Sequence, residues 1–506
     1  MLSFLARRLM AGLATLFSAI FLMYLLVNKT MDPLKDLVES TKSNKQQLID
    51  QRIELLDLKT NVVVRFFKWL GNYLTGDPGT AWKTGQDVGP MISHAIGSTL
   101  QLVLAATLIS IVLGVTVGIV SALRQYSSFD YLIIFMSFLL YSLPSFLVAV
   151  LLKQWGAIGF NDFLADPVLP WGVIIVVSLL SGLIWSLAVG GSTRRRLQVG
   201  GSATAASIAM LGYLQASNWW TAPSLGAFLI AVLGAGAAVG IVAVGAGLQN
   251  RRALYSALAT VGLGVVLYYP MQALFRGVLE TNVLIFFLGV VAVGSGILVG
   301  WLFGGPDRGV SMRIGGMTAL VVAALTYIDQ VLQVWPDYSM FLRGRPIPTF
   351  GDQTPSLGGS YWVGVLDTYS HLILPSLTLI LIAFASYARY SRSSMLEVMN
   401  QDYIRTARAK GLPERVVVVR HGFRNTLIPL ATIIPIDIIT LIGGAIITEN
   451  IFARPGMGQL FIQSLGNAEI EPVMAYLVIT ASLAIAANII ADIIYASVDP
   501  RIRLEA

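Results

Sequence analysis

The chain has 506 residues, 56% of them hydrophobic and 12% charged. Soluble domains carry about twice that share of charge, which excludes a soluble globular fold and predicts a polytopic membrane protein. The net charge of +7 requires no nucleic-acid partner, because the basic residues fall in short loops between apolar runs, where membrane topology accounts for them. The absence of cysteine excludes disulfides, a thiolate nucleophile and a cysteine-ligated metal. The three histidines, His94, His371 and His421, are too far apart in sequence to suggest a metal cluster.

A helix needs about 20 apolar residues to cross the hydrocarbon core. Twelve stretches meet or approach that length: 9–27, 97–120, 131–152, 171–190, 202–216, 224–248, 253–270, 281–303, 314–334, 371–390, 427–448 and 473–495. The stretch 202–216 is the weakest, being short and rich in Ala and Ser, although Trp219 and Trp220 beyond it suit an interfacial belt. With Arg7 and Arg8 inside, the loops assigned inside are 121–130, 191–201, 249–252, 304–313 and 391–426, with the tail that holds Arg501 and Arg503; each carries arginine. The outer loop 217–223 has no charge, and 271–280 has only Arg276 against Glu280. Alternation therefore predicts both termini inside. No small-residue cleavage site lies beyond the first run, so it is expected to be retained as a span.

Residues 32–96 are polar and assigned outside, with Leu34 to Leu58 spaced as a surface helix and GDPG suited to a turn. In the next two spans Gly114 and Gly118 stand four apart, which lets helix backbones approach closely. Pro144 is expected to kink its helix, either to shape a translocation path or because neighbouring groups satisfy the freed carbonyl. The block 171–334 holds six of the twelve spans, and both of its ends lie on the outer face, so it inserts without inverting the spans on its C-terminal side. Its arginine-bearing loops recur roughly every 55 to 60 residues, as three diverged helical hairpins would. Lipid contact, partner contact and peripheral decoration are all open roles for it. Residues 335–370 are rich in Pro and Gly and read as an external loop.

The segment 397–429 is polar and basic between two apolar runs. Good helix formers fill 397–410, Gly411 stands where a helix ends, and Pro413 where a second, shorter helix begins; the β-branched run Val416 to Val419 weakens that second piece. Intramembrane carboxylates are functional hypotheses by default, and three exist: Asp329, Asp437 beside Pro435, and Asp492; Lys153 lies near a span end. The sequence contains no GxxxxGK[ST], HExxH or GxSxG motif, so nothing here cradles a nucleotide phosphate.

The words DYIRTARAKGLPERVVVVRHGFRNTLIP resemble the cytoplasmic loop of ATP-binding-cassette importer permeases, in the dipeptide/oligopeptide branch. In that family a Glu-Ala-Ala-x-x-x-Gly signature forms a coupling helix that sits in a groove of the ATPase subunit. Here Arg405, Thr406 and Ala407 occupy the Glu-Ala-Ala positions, so only Ala407 and Gly411 match the general signature, while TARAKG agrees with the peptide branch. FFKWLGNYLTGDPGTAW, SLPSF, HLILPSLTLILIAFASYARYSRSSMLEVM and the ending NIIADIIYASVDPRIR extend the resemblance, which stops after Phe160 and resumes near His371. So does ITENIFARPGMGQL, with Glu449, Phe452, Pro455, Gly456, Gly458 and Leu460 at the family's positions.

The resemblance implies an all-α, type I importer transmembrane domain of about 12 helices in a bacterial inner membrane, with both termini cytoplasmic. Residues 1–170 and 371–506 would be the two halves of the core, with a coupling loop at 391–426, and 171–334 an insertion. It implies that Asp402, Tyr403, Arg405, Thr406, Ala407, Arg408, Ala409, Lys410, Gly411, Leu412, Arg420, Arg424, Asn425 and Pro429 meet the ATPase. Glu449, Phe452, Pro455, Gly456 and Gly458 would lie on an external loop near the binding protein, with Pro144 and Asp437 on the path. The implied partners are a second permease, two ATPase subunits that hold ATP and Mg, an extracytoplasmic substrate-binding protein and lipid; the chain itself would bind no cofactor or metal and would not be an enzyme. Peptide is the family's commonest cargo, with nickel complexes and glutathione as alternatives. Two rival readings stand beside it: a basic loop that only sets topology and touches anionic lipid, and an ion-coupled secondary transporter using Asp437, Asp492 or Asp329.

Overall fold

Hydrocarbon offers no partner to a free peptide group, so a chain this apolar must satisfy its backbone within helices. The computed structural model describes residues 2–41, 44–277 and 280–498, and among them it contains helices, loops and one isolated bridge, Thr80 to Asp87, but no strand. The elements used below are α1 (Leu2–Thr30), α2 (Val62–Leu74), α3 (Val88–Leu123), α4 (Ser128–Ser142), α5 (Ser145–Leu151), α6 (Trp171–Val189), α7 (Thr193–Ala216) and α8 (Gly226–Gly245). They continue with α9 (Arg251–Gly277), α10 (Asn282–Phe303), α11 (Arg308–Gln333), α12 (Tyr361–Met399), α13 (Asp402–Ala409), α14 (Arg424–Gly444), α15 (Met457–Gly466) and α16 (Ile470–Val498).

Among the described residues nine helices are long and apolar enough to cross a membrane, ten with one bent pair. The twelve stretches read from sequence map onto them with three departures. The stretch 131–152 is broken: α4 ends before Leu143 and Pro144, and the chain turns by 100° into α5. The stretch 202–216 lies in α7, which starts with Arg194, Arg195 and Arg196 and is not among the nine. The stretch 427–448 is divided: α14 holds 427–444, with Pro429 and Pro435 inside the helix, and a short helix, Ile446–Ile451, follows Ala445. Arg501, Arg503 and the Asp-Pro-Arg ending lie outside the described residues, as does the side chain of Asp492.

Close approach at glycine holds the core together. A Cβ at Gly114 would run into Tyr387, and one at Gly118 into Ala388, so these two residues let α3 lie directly against α12. Ser391 donates to the Gly114 carbonyl at 3.3 Å across the same contact. The region expected as a surface helix forms two short ones, Lys35–Val38 and Lys45–Leu55, tied by Arg52 to Asp36 at 2.6 Å. Beyond them α2 buries Phe66 and Trp69 against Tyr24 of α1, with ring centroids 5.4 and 5.6 Å from the tyrosine.

The inserted helices divide into a hairpin and a four-helix cluster. In the hairpin α6 meets α7 where Gly182 faces Gly200 and Thr204. The cluster α8 to α11 closes over Ile230, Ala238, Val242, Ala257, Ile314 and Val322. It is moored to the core by Trp362, whose Nε1 donates to the Phe275 carbonyl at 2.7 Å, and by the hydroxyls of Tyr327 and Tyr369, 3.0 Å apart.

Candidate functional site

The 397–429 segment folds into an element mounted on the end of α12. The helix expected over 397–410 is interrupted at Asn400 and Gln401: α12 ends at Met399 and α13 restarts at Asp402. The Ile404 and Ala407 side chains form its inner face, packed against Val417 and Met399. Its outer face presents Asp402, Tyr403, Arg405, Thr406, Arg408, Ala409, Lys410, Gly411 and Leu412, all exposed. Gly411 has φ +72°, a left-handed conformation that reverses the chain at little steric cost only when no Cβ is present.

Arg408 closes the turn. Its Nη2 and Nε donate to the two carboxylate oxygens of Glu414 at 2.7 and 3.2 Å, and this guanidinium holds the Glu414 carboxyl below its ordinary value. The second piece is not the short helix expected. Glu414 begins a helical run that passes through a π-helical turn, Val417–Phe423, and continues without a break as α14. The β-branched residues are accommodated by widening the helix, with Val417 fully buried. Arg420, Arg424 and Pro429 are exposed on this run, and Asn425 donates to Tyr403 Oη at 3.1 Å.

Two attachments of this element escaped the sequence reading. Seven residues before the end of α12, Arg392 donates to both oxygens of Asp130, at 2.7 and 3.0 Å; Asp130 also accepts from the Ser121 hydroxyl and the Tyr126 N–H and is 1% exposed. Ser127 caps α4 by accepting from the Asp130 N–H, so the Ser-x-x-Asp spacing was the available signal. The other attachment is Arg415, which donates to the Val244 carbonyl at the C-terminus of α8, joining the inserted cluster to the element. A cation there caps an open carbonyl and meets the negative end of the helix dipole.

At the opposite end, the expected external residues turn inward. Glu449 is fully buried: it accepts from Thr99 Oγ1 at 2.6 Å and from the Gly458 and Gln459 N–H groups at 2.7 and 3.2 Å, which anchors the start of α15. Burial pushes its carboxyl above the ordinary value, against those hydrogen bonds and Arg454. Phe452 is buried against Ala149, Ala157 and Leu374, and a Cβ at Gly456 or Gly458 would collide with Glu449 or Ile446. Of the five, Pro455 alone is partly exposed; it lines a recess with His94 and Gln459. Arg454, which the motif passed over, is 1% exposed and donates to Gln101 Oε1 at 3.1 Å.

Pro144 starts the second limb of the 100° bend, beyond which Lys153 donates to the Ile451 carbonyl at 2.8 Å. Asp437 is partly buried and hydrogen-bonded to Tyr387 of α12. Asp329 is fully buried and saturated: one oxygen accepts from the Leu225 and Gly226 N–H groups, the other from Tyr268, Gln272 and Gln333. A carboxylate with five donors locks α8, α9 and α11 together and offers no open lone pair to a travelling ion. Among the described residues no group of three or more His, Asp or Glu side chains could hold a metal ion.

Comparison with known proteins places this geometry among transporters. The profile described as binding-protein-dependent transport system inner membrane component matches residues 114–504. The chain is 26% identical over 504 residues to the oligopeptide transport system permease protein OppB of Mycobacterium tuberculosis, covering all of both chains, the inserted helices included. Over 138 residues it is 49% identical to the oligopeptide transport system permease protein AppB of Bacillus subtilis, 27% of this chain and 44% of that one. Over the same length it is 43% identical to the dipeptide transport system permease protein DppB of Escherichia coli, 27% of this chain and 41% of that one.

Proposed function

Because this chain belongs to the family of binding-protein-dependent transport system inner membrane components, multi-pass permeases of the bacterial inner membrane and not enzymes, we propose that it forms half of the translocation path of an ATP-driven importer of di- or oligopeptides. A second permease supplies the other half, two ATPase subunits bind ATP and Mg, and an extracytoplasmic binding protein delivers the peptide. The exposed face of α13 and its turn carries this reading: a knuckle, Asp402 to Leu412, whose inner face packs on Met399 at the end of α12 and on Val417 in the π-helical turn, while its exposed outer face is placed to seat in an ATPase groove. Closure of the ATPase pair moves the knuckle, α12 carries the displacement past the Asp130–Arg392 clamp, and the α3–α12 contact transmits it to the path. Residues 1–170 and 371–506 form this core and 171–334 is inserted into it; the external loop expected over 335–370 is shorter, because 361–370 already belongs to α12, and 335–360 covers the outer side.

The test is co-purification followed by peptide uptake into vesicles. Gly411→Val forces a β-branched side chain into the left-handed region, and Ala407→Asp buries a carboxylate against Ile404 and Val417. Both are expected to release the ATPase subunits and abolish uptake, while Gly71→Ala, at a position with no neighbour within 4 Å, leaves both intact. Uptake that persists with no ATPase subunit in the vesicle refutes the reading.

A further inference from the structure

The outer segment 32–96 closes on the start of α16 around a recess of about 300 Å³. Its walls include Tyr24 of α1, Arg65 and Trp69 of α2, the loop that carries Asp77, Gly79 and Trp82, and Glu471 in the first turn of α16. The loop is fixed by its own contacts. Asp77 Oδ1 accepts from the Gly79 N–H at 2.9 Å, and Trp82 Nε1 donates to the Ala468 carbonyl at 3.1 Å, with the Arg52 guanidinium 4.0 Å from the centre of the Trp82 ring. A Cβ at Gly79 would press on Glu471, so glycine lets the loop lie close over this side chain.

The polar groups of the lining are not used up. Trp69 is 8% exposed, and its Nε1 has no hydrogen-bond partner. The Arg65 guanidinium enters no hydrogen bond or ion pair among the described residues, and its Nε is buried. Glu471 Oε2 is buried and equally without a partner. The other cation of the lining, Lys68, is taken by Asp57 at 3.1 Å. Arg65 lies near enough to Glu471 to act on it electrostatically, yet among the described residues no ion pair joins the two. They stand on different elements with the recess between them. A buried charge without a partner is costly, and here one of each sign lines the same space.

Two sets of unmet donors call for an oxyanion, and the unmet carboxylate oxygen calls for a cation that donates hydrogen bonds. Tyr24, Trp69 and Trp82 add aromatic walls of the kind that favour an ammonium. The volume is at the lower end of the range for ligand sites, about 300–1,000 Å³, and suits one small solute. We propose that this recess binds a small zwitterion, a free amino acid or short peptide, with its carboxylate on Arg65 and the Trp69 N–H and its ammonium on Glu471. Charge bias assigns the outer segment to the extracytoplasmic side, so the ligand arrives from there. The site lies apart from α12, α13 and α14 and stands whether or not the chain imports peptides.

The test uses the full-length protein in phosphatidylcholine nanodiscs with radiolabelled glycine, diglycine and triglycine, read by scintillation proximity. At least one of them is expected to bind, and the tightest reports the span between the two charges. Blocking either end of that ligand, as its N-acetyl or its amide derivative, should weaken binding roughly 10- to 100-fold, the worth of one hydrogen bond to a charged group. Glu471→Gln should abolish the penalty for N-acetylation and keep that for amidation, and Arg65→Gln should do the reverse. No binding of any of the three overturns the site. A penalty unchanged in its own variant, or a loss shared equally by free and blocked ligands, overturns the assigned contact. Binding of glycerophosphoethanolamine in place of all three would assign the recess to a lipid headgroup and overturn the ligand. Should either variant fail to fold, a photoreactive amino acid decides on unsubstituted protein: crosslinks on residues 65–82 or 468–471 that excess glycine suppresses support the proposal, and crosslinks confined to other segments overturn it.

Discussion

Truncating Arg392 to Ala removes both guanidinium bonds from a carboxylate that is 1% exposed, and leaves Asp130 with one hydroxyl and one backbone N–H. Breaking a buried pair from one side costs about 3–5 kcal/mol, because the remaining charge is stranded. The Arg392 side chain is 22% exposed, so water can reach part of the vacated space and the lower end, about 3 kcal/mol, is expected. Asp130→Leu strands the guanidinium instead, which can turn toward solvent, and about 2 kcal/mol is expected. The double substitution Asp130→Leu with Arg392→Leu strands nothing, so its loss should fall short of the sum of the two by about 2 kcal/mol. Reversible unfolding in mixed detergent gives the stability cycle. If the proposed function holds, the assembled transporter gives the functional one, as peptide moved per ATP hydrolysed, which is expected to fall in each single variant and recover in part in the double. Additive stability losses would refute the clamp, and an unchanged ratio of peptide to ATP in Arg392→Ala would remove it from the path of force.

Asp329→Asn turns an N–H toward donors that now face a carboxylate; the inserted cluster should lose about 2–3 kcal/mol, read by thermal melting, whereas a coupling-ion role would instead show as loss of ion-driven transport at unchanged stability. Arg415→Ala uncaps the Val244 carbonyl and should cost about 0.3–1 kcal/mol, read as faster hydrogen exchange at Val242 to Gly247; unchanged exchange there would show that the cluster does not brace the element. Burial raises the Glu449 carboxyl, so on alkalinisation the unfolded chain releases its proton first and stability falls with rising pH, from the ordinary carboxylate value of 4.5 up to the raised native one. Melting of the detergent-solubilised protein should therefore shift upward on acidification through that window, and Glu449→Gln should flatten the shift; equal slopes in both proteins would sink the assignment.

Much of the fold was legible because membrane insertion is decided along one dimension. Apolar run length and arginine placement are local quantities, and nine of the stretches read from them are intact helices long enough to span. Pro144 and Gly411 were legible for a similar reason, since each limits its own dihedral angles wherever it stands. The external motif was legible as a turn but misleading as a surface: Glu449 and Phe452 look like exposed loop residues until the partners that bury them, Thr99 and Leu374, are brought alongside.

The sequence by itself therefore determined that this protein lives in a membrane, which segments are helical, and where the basic knuckle lies between two of them. Only the tertiary structure decided that Arg392 meets Asp130, that Arg415 reaches Val244, and that five donors converge on Asp329. Those pairings join residues 262, 171 and 61 positions apart. They depend on helix crossings set by close approach at glycine and by packing, and a pattern read within one helix holds no information about which neighbour it will touch.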